Sequence, residues 1–312
     1  MSLPAPGTLL RVIRWPNLVI IALTQYTVAI FLSPPSGARS SALDFFALTA
    51  LIGTTVSIAA AGYVMNDILD QTNDRINKPT QIMIGSEVST TAGWWLYGIL
   101  TAAGLLLIVI AAWRFGQAEW IIVHPAVTVI LMLYSMVFKG LPLVGNVVVA
   151  LCCTAVPGLS LLAIGWNPFL ILFSFKNGQP QELVALGFLL FSWTTTMYRE
   201  GVKDLEDMAG DRASGLRTLP IAAGRRVAVG QALIWGLLTL ILLQAAGQME
   251  WARQKTALVI FIQAAVTAPQ VWSMVLLIRS RDQMGYRKVS LVSKLVMVMG
   301  LMYLGLAAFA TI

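Results

Sequence analysis

The chain is written in long apolar runs broken by short polar stretches. Nine runs are long enough to cross a bilayer as helices, at about 15–33, 42–65, 91–113, 119–138, 142–165, 184–203, 226–247, 255–278 and 290–311. About 20 apolar residues, rising 1.5 Å each, cover the roughly 30 Å of hydrocarbon. The pattern predicts an all-α polytopic membrane protein, nine transmembrane helices around a central cavity. Pro125, Pro157 and Pro269 fall inside runs, which membrane helices tolerate when neighbours re-satisfy the backbone. Trp94, Trp95, Trp113, Trp120, Trp166 and Trp251 stand near run ends, as interfacial anchors do. Met1 to Thr8 lack the charged n-region and cleavage site of a secretory signal, so the first run reads as a retained helix. The expected organisation is one membrane domain over 1–312, with a pseudo-repeat of 1–140 and 141–312.

Two of the polar interruptions share an internal spacing. One is Asn66-Asp67-Ile68-Leu69-Asp70-Gln71-Thr72-Asn73-Asp74, and the other is Lys203-Asp204-Leu205-Glu206-Asp207-Met208-Ala209-Gly210-Asp211. Each sets carboxylates at i, i+3 and i+7, which on one helix fall within roughly 60° of each other. The windows Asp67–Asp74 and Glu200–Asp211 hold 8 of the 14 acidic residues. Each cluster therefore reads as a row of carboxylates along one stripe, the form that a hard divalent cation takes.

Composition and charge sharpen this picture. Hydrophobic residues are 58 %, charged residues 11 % and the mean hydropathy is +0.79, values outside the range of a soluble domain. The net charge of +7 suggests nucleic acid until its distribution is counted. With nine spans and the N-terminus inside, fifteen of the 21 Lys and Arg fall inside, five (Arg39, Arg114, Lys176, Arg253, Lys255) outside, and Lys294 at the cytoplasmic end of the last span. The positive-inside rule selects that orientation and removes nucleic acid as the reason for the charge. The acidic rows follow the second and sixth spans, so an even number of crossings puts both at the cytoplasmic face. Arg225, Arg226, Arg287 and Lys288 read as anchors against anionic headgroups. Cys152 and Cys153 are helix neighbours inside an apolar run, unable to pair, and read as packing residues.

Carboxylates beside a membrane span are costly, and six of them need cations between them. Mg²⁺ takes oxygen ligands and completes its shell with substrate phosphate. Arg75, Lys78, Lys139, Arg199, Lys203 and Arg212 lie beside the acids and suit phosphate oxygens directly. Acid for metal and base for phosphate together point to a diphosphate, and an apolar bundle behind it to a lipid tail. Loss of diphosphate from an allylic carbon, capture by an acceptor and exclusion of water is the chemistry that such a site supports.

At these residues the chain resembles the UbiA superfamily of intramembrane prenyltransferases. Asn66–Asp74 matches its NDxxDxxxD motif and Asp204–Asp211 its DxxDxxxD motif. Arg199–Asp211, Gly215–Pro220, Asp74–Pro79, Tyr134-Ser135 through Lys139 to Gly145-Asn146, and Ile13–Asn17 are most similar to the digeranylgeranylglyceryl phosphate synthase branch. The resemblance implies that Asn66, Asp67, Asp70 and Asp74 serve one Mg²⁺ site and Asp204, Asp207 and Asp211 a second, with Asp67, Asp70, Asp204 and Asp207 catalytic. It implies diphosphate binding by Arg75, Lys78, Lys139, Arg199 and Lys203, and acceptor positioning by Arg14 and Asn17. Tyr63, one turn before Asp67, is a further candidate beside the acceptor or a packing residue. The implied partners are a prenyl (geranylgeranyl) diphosphate donor and a lipid acceptor hydroxyl in the membrane. After Lys78-Pro79 the branch commonly continues RPIPSG, where this chain has Thr80-Gln81-Ile82-Met83-Ile84-Gly85. That departure keeps aromatic quinone precursors and chlorophyll-like acceptors open as alternatives.

Three other readings fit less well. A cation-coupled transporter places its acids near the bilayer midplane at broken helices, not at helix ends. A CDP-alcohol phosphotransferase carries one continuous motif with DG and AR elements, whereas this chain divides its acids across 130 residues. A membrane scaffold gains nothing from buried acid rows. His124, the only histidine, lies within the fourth span and reads as a packed residue.

Overall fold

The computed structural model describes residues 6–32, 44–77, 82–166 and 180–309, the last with backbone alone at 180, 181, 308 and 309. The expected positions Lys78, Arg39 and Lys176 lie outside the described residues. The described chain is helical: α1 Pro6–Val12, α2 Trp15–Phe31, α3 Phe45–Leu69, α4 Gln71–Asn77, α5 Thr90–Phe115, α6 Val123–Met136, α7 Val144–Ala163, α8 Pro180–Glu206, α9 Met208–Ala213, α10 Leu219–Ala222, α11 Arg225–Ala252, α12 Thr256–Phe261, α13 Ala268–Arg279 and α14 Gln283–Phe309. A helix occupies each of the nine expected positions. Among the described residues seven stretches are long and apolar enough to span alone, and the α1–α2 pair, bent by 61°, makes an eighth. The remaining expected span, α8, is 27 residues long but carries Arg199, Glu200, Lys203, Asp204 and Glu206 in its second half. The chain is an integral membrane protein. Trp113 (76 % exposed), Trp95, Leu106 and Ile99 face outward on α5, as side chains do that meet lipid.

The chain divides into two compact units. The first holds Met1–Tyr26, Ser36–Gly140 and Ala209–Leu216; the second holds Thr27–Pro35, Leu141–Met208 and Arg217–Ile312. In the first unit α3 and α5 pack through small residues: a Cβ on Gly53 would lie 2.9 Å from Leu107, and one on Gly104 3.2 Å from Ser57 Cβ and 2.9 Å from His124 of α6. Close backbone approach is how helices pack where lipid removes the hydrophobic drive. His124 is buried there, consistent with packing. Asp44 caps α3 by accepting the Ala47 N–H at 2.9 Å and holds Arg114 at 2.6 Å. That amide and the guanidinium lower the Asp44 carboxyl from its ordinary range, so the cap stays charged at neutral pH and loosens as pH falls through the lowered value.

In the second unit, Tyr198, Val202, Ala228, Ala232, Leu277 and Val289 form one buried cluster, and Phe191, Leu243, Ile262, Val266 and Val296 another. Pro269 sits just after a π-helical turn, Ile262–Thr267. Proline has no N–H to give the preceding turn, and the wider turn absorbs the mismatch without ending the span. Arg225, expected as a headgroup anchor, turns inward instead, donating to Tyr286 Oη at 2.5 Å and the Ser280 carbonyl at 2.6 Å. Its five donors make it a clamp between helix ends. Cys152 and Cys153 are both free.

Gly300 on α14 tests the packing of this unit. A Cβ there would lie 2.3 Å from Phe191 Cε1 and 2.4 Å from Cζ. Gly300→Ala is expected to destabilise by about 1–3 kcal/mol through overpacking, read as a lowered Tm in detergent. Phe191→Leu in the same chain should recover part of the loss; a wild-type Tm for the single variant would contradict the packing.

Candidate active site

The first acidic row lies in the first unit, and it does not follow one straight helix. α3 ends at Leu69, Asp70 is its cap at φ −91° and ψ 6°, and α4 restarts at Gln71. Asp67 therefore sits on α3, Asp70 at the break and Asp74 on α4. Polar side chains bond locally at this end: Asn66 Nδ2 donates to Asp70 Oδ2 at 2.5 Å and Gln71 Nε2 to the Ile68 carbonyl at 3.2 Å. The single stripe expected from the spacing is thus bent at its middle acid.

Arg14 occupies the elbow between α1 and α2 at φ +52°, a left-handed conformation rare for a side chain of its size. From there Nη2 donates to Asp67 Oδ1 at 2.6 Å, and the guanidinium stands 4.9 Å from the centre of the Tyr63 ring. Asn17 Nδ2 donates to Tyr63 Oη at 3.4 Å. The three candidates for acceptor positioning are therefore gathered against the first acid of the row. Lys139 pairs with Asp70 Oδ2. Arg75 projects exposed from α4.

The second row repeats the break. Asp204 lies in the last turn of α8, Asp207 lies in the bend with its N–H on the Lys203 carbonyl at 2.8 Å, and Asp211 sits on α9. Asp204 Oδ2 accepts from the buried Asn146 Nδ2 at 3.0 Å. Arg199 and Lys203, expected on phosphate, both turn onto Glu200, at 3.1 Å each. Asp211 belongs to the first unit, where it accepts from Asn73 Nδ2 at 2.8 Å. Asn73 Oδ1 accepts from Asn77 Nδ2, and Asn77 Oδ1 accepts the Gly210 N–H at 2.9 Å. The last acid of the second row is therefore hydrogen-bonded to the helix that carries the last acid of the first.

Asn73, Asn77, Asn146 and Glu200 were not singled out by spacing. Glu200 lies within the acidic window but off the i, i+3, i+7 register, and the asparagines carry no charge to mark them. The one available signal was the pair Asn73 and Asn77, four residues apart on the polar segment after the first row.

The donor set is hard oxygen throughout, and among the described residues no three acidic, His or Cys side chains converge as a ready cage. Mg²⁺ is commonly held by one or two carboxylates, with water and substrate phosphate supplying the rest. Asp67 and Asp70, each carrying a cationic partner, are suited to that mode. The residues present fit Mg²⁺ delivered together with a phosphorylated substrate.

Three comparisons bear on these rows. The chain is 31 % identical over 182 residues to digeranylgeranylglyceryl phosphate synthase of Thermococcus kodakarensis, covering 58 % of each chain. It is 36 % identical over 173 residues to the Natronomonas pharaonis synthase of the same name, covering 55 % of each. The matched stretches span less than two thirds of those relatives. Among solved structures, one concerning digeranylgeranylglyceryl phosphate synthase in membranes superposes with TM-score 0.64 at 23 % identity, covering 97 % of this chain and 98 % of that one. A UbiA homologue from Archaeoglobus fulgidus, bound to DMAPP and Mg²⁺, gives 0.56 at 14 % identity, over 95 % and 99 %. These likenesses show a shared fold. The model of the UbiA prenyltransferase family matches residues 22–292, and the chain belongs to that family.

Proposed function

We propose that the chain transfers a prenyl group, geranylgeranyl, from its allylic diphosphate to the hydroxyl of geranylgeranylglyceryl phosphate, with Mg²⁺ as cofactor. The observation that carries this reading is the pair of acidic rows, each broken at its middle acid. The names of the curated relatives supply the acceptor. Mg²⁺, when bound, neutralises the charge that develops on the leaving diphosphate. Asn66, Asp67, Asp70 and Asp74 hold it at the first row, and Asp204, Asp207 and Asp211 at the second. Arg75 and Lys139 would grip diphosphate oxygens.

The allylic C–O bond breaks with its electron pair leaving on the diphosphate, and the acceptor oxygen captures the allylic cation. Its proton passes to a diphosphate oxygen, the base that the reaction generates; buried His124 takes no part. The Tyr63 ring, with Arg14 and Asn17 against it, positions the acceptor. Apolar spans around the tail exclude water, which would otherwise trap the cation. The excess of Lys and Arg on one side supports an N-terminus and acidic rows facing the cytoplasm.

The test is incubation of purified protein with geranylgeranyl diphosphate, Mg²⁺ and geranylgeranylglyceryl phosphate, alongside aromatic acceptors, with products read by mass spectrometry. The ether-linked product should form with Mg²⁺ and vanish with EDTA. Adducts of the aromatic acceptors alone would replace the substrate, and Mg²⁺-dependent ion flux without turnover would replace the reaction.

A further inference from the structure

In the first unit, a short segment between α4 and α5 touches both places where the first row takes its shape. Residues 82–88 turn back on themselves: the Gly85 N–H donates to the Val88 carbonyl at 2.7 Å and the Val88 N–H to the Met83 carbonyl at 3.0 Å. The turn buries Ile84 and Val88 in one cluster with Val12 of α1 and Val64 and Ile68 of α3. Gly85, at φ +90°, leaves no room for a side chain, since a Cβ there would lie 2.7 Å from Gln71 Oε1. Gln71 in turn donates to the Ile68 carbonyl and to Thr90 Oγ1, beside the break that carries Asp70. The same turn presents Glu87, whose Oε2 accepts from Thr8 Oγ1 at 2.8 Å and from Arg11 Nη2 at 3.2 Å.

Both donors stand on α1, and α1 leads directly into the elbow at Arg14. A positive φ on a residue of that size is strained and persists only where its surroundings hold it. The long helix α2 holds one side of the elbow, and the other side is held by whatever grips α1. Val12, wholly buried, shares its cluster with Ile84 and Val88, and Thr8, 6 % exposed, is bound by Glu87. The Arg11–Glu87 pair is exposed and adds little by itself. The Thr8 bond carries more of the hold, because a buried hydroxyl that loses its acceptor is costly.

We infer that Glu87 is a positioning residue: by fixing α1 it keeps the elbow closed, so that Arg14 stays on Asp67 and against the Tyr63 ring. Glu87 acts through Arg14 and not on the substrate itself. The kinetic consequence, an acceptor site that loosens when Glu87 is removed, rests on the transfer reading above. The closed elbow does not rest on it. Ile84 is one of the positions at which this chain departs from RPIPSG, so the apolar side of the brace belongs to this chain and not to the resemblance.

The full chain is compared in detergent as wild type, Glu87→Ala, Glu87→Gln, Arg14→Ala and the double variant Glu87→Ala with Arg14→Ala. The Glu87 side chain is 46 % exposed, so its removal strands no buried charge. Hydrogen exchange, read by mass spectrometry, follows peptides over 9–17, with α5 as internal reference. There the Arg14 N–H bonds the Arg11 carbonyl at 3.0 Å and the Asn17 N–H the Arg14 carbonyl at 2.8 Å. Glu87→Ala should speed exchange at the elbow about fivefold and leave α5 unchanged. Glu87→Gln, which still accepts the Thr8 hydroxyl, should exchange as wild type. In transfer assays Glu87→Ala should raise the acceptor KM about fivefold with the donor KM unchanged, and should add nothing in the Arg14→Ala chain. Wild-type exchange in Glu87→Ala, exchange in Glu87→Gln as fast as in Glu87→Ala, or an equal further rise of the acceptor KM on top of Arg14→Ala overturns the inference. Faster exchange at the elbow in a protein that transfers to no acceptor sinks the reaction and leaves the brace. Transfer by wild type, with wild-type exchange in Glu87→Ala, sinks the brace alone.

Discussion

Asp67→Ala and Asp204→Ala each lose prenyl transfer by about a thousandfold or more, roughly 4 kcal/mol in the barrier, while the protein stays folded. Each change removes a carboxylate from one row and leaves the other row intact. Asp67 is 15 % exposed and holds Arg14 at 2.6 Å, so its loss frees a guanidinium at the α1–α2 elbow. That guanidinium is 41 % exposed and stays solvated, which keeps the structural cost small. Asp204 holds the buried Asn146 amide, and Asp204→Asn keeps a polar partner of the same shape without the charge. The asparagine variants at both positions should therefore melt as wild type yet transfer as poorly as the alanines. Activity of either alanine variant within tenfold of wild type would contradict a role in holding the metal and diphosphate.

Gly210→Ala should lose transfer by about a hundredfold, because it removes Asp211 and Asn73 from their positions together. A Cβ at residue 210 would lie 2.0 Å from Asn73 Oδ1 and 2.4 Å from Asn77 Nδ2. Neither amide can retreat cheaply. Asn77 Oδ1 takes the Gly210 N–H, and Asn73 Nδ2 donates to Asp211 Oδ1, so moving them leaves buried polar atoms without partners, at about 1–3 kcal/mol each. Gly230→Ala is the matched control: a Cβ there meets nothing within 4 Å. In the second turn of α11 it should leave stability equal or raise it by up to about 1 kcal/mol. Wild-type transfer by Gly210→Ala would mean that the asparagine network does not hold Asp211 in place.

The spans were legible because the bilayer imposes length: about 20 apolar residues must recur whatever the packing partner. Both rows were legible because eight acids concentrate in two windows of an acid-poor chain. Their breaks were not legible, since Asp67, Asp70 and Asp74 satisfy the i, i+3, i+7 spacing on a straight helix and on a bent one alike. The side-chain bonds of Asn66 and Gln71 at the break appear only in the folded structure. The elbow at Arg14 escaped for a similar reason: Pro16 marks a helix start, but nothing local announces that the residue before Trp15 adopts a positive φ. Arg225 was misassigned as a headgroup anchor because charge near a span end looks the same whether it faces lipid or, as here, clamps Tyr286 and Ser280. Asn73, Asn77 and Asn146 act across distances of 58 to 138 residues, which no local pattern records.

The claim that each acidic row is needed for Mg²⁺-dependent binding of the donor is tested most directly with a non-reacting donor. Geranylgeranyl S-thiolodiphosphate, which keeps the diphosphate but ionises far more slowly, is titrated into wild type, Asp67→Ala and Asp204→Ala with Mg²⁺ and with EDTA. The account predicts tight binding by wild type only with Mg²⁺, and a Kd about a hundredfold higher, roughly 2.7 kcal/mol, in each variant. Metal-independent binding, or wild-type affinity in either variant, would contradict it.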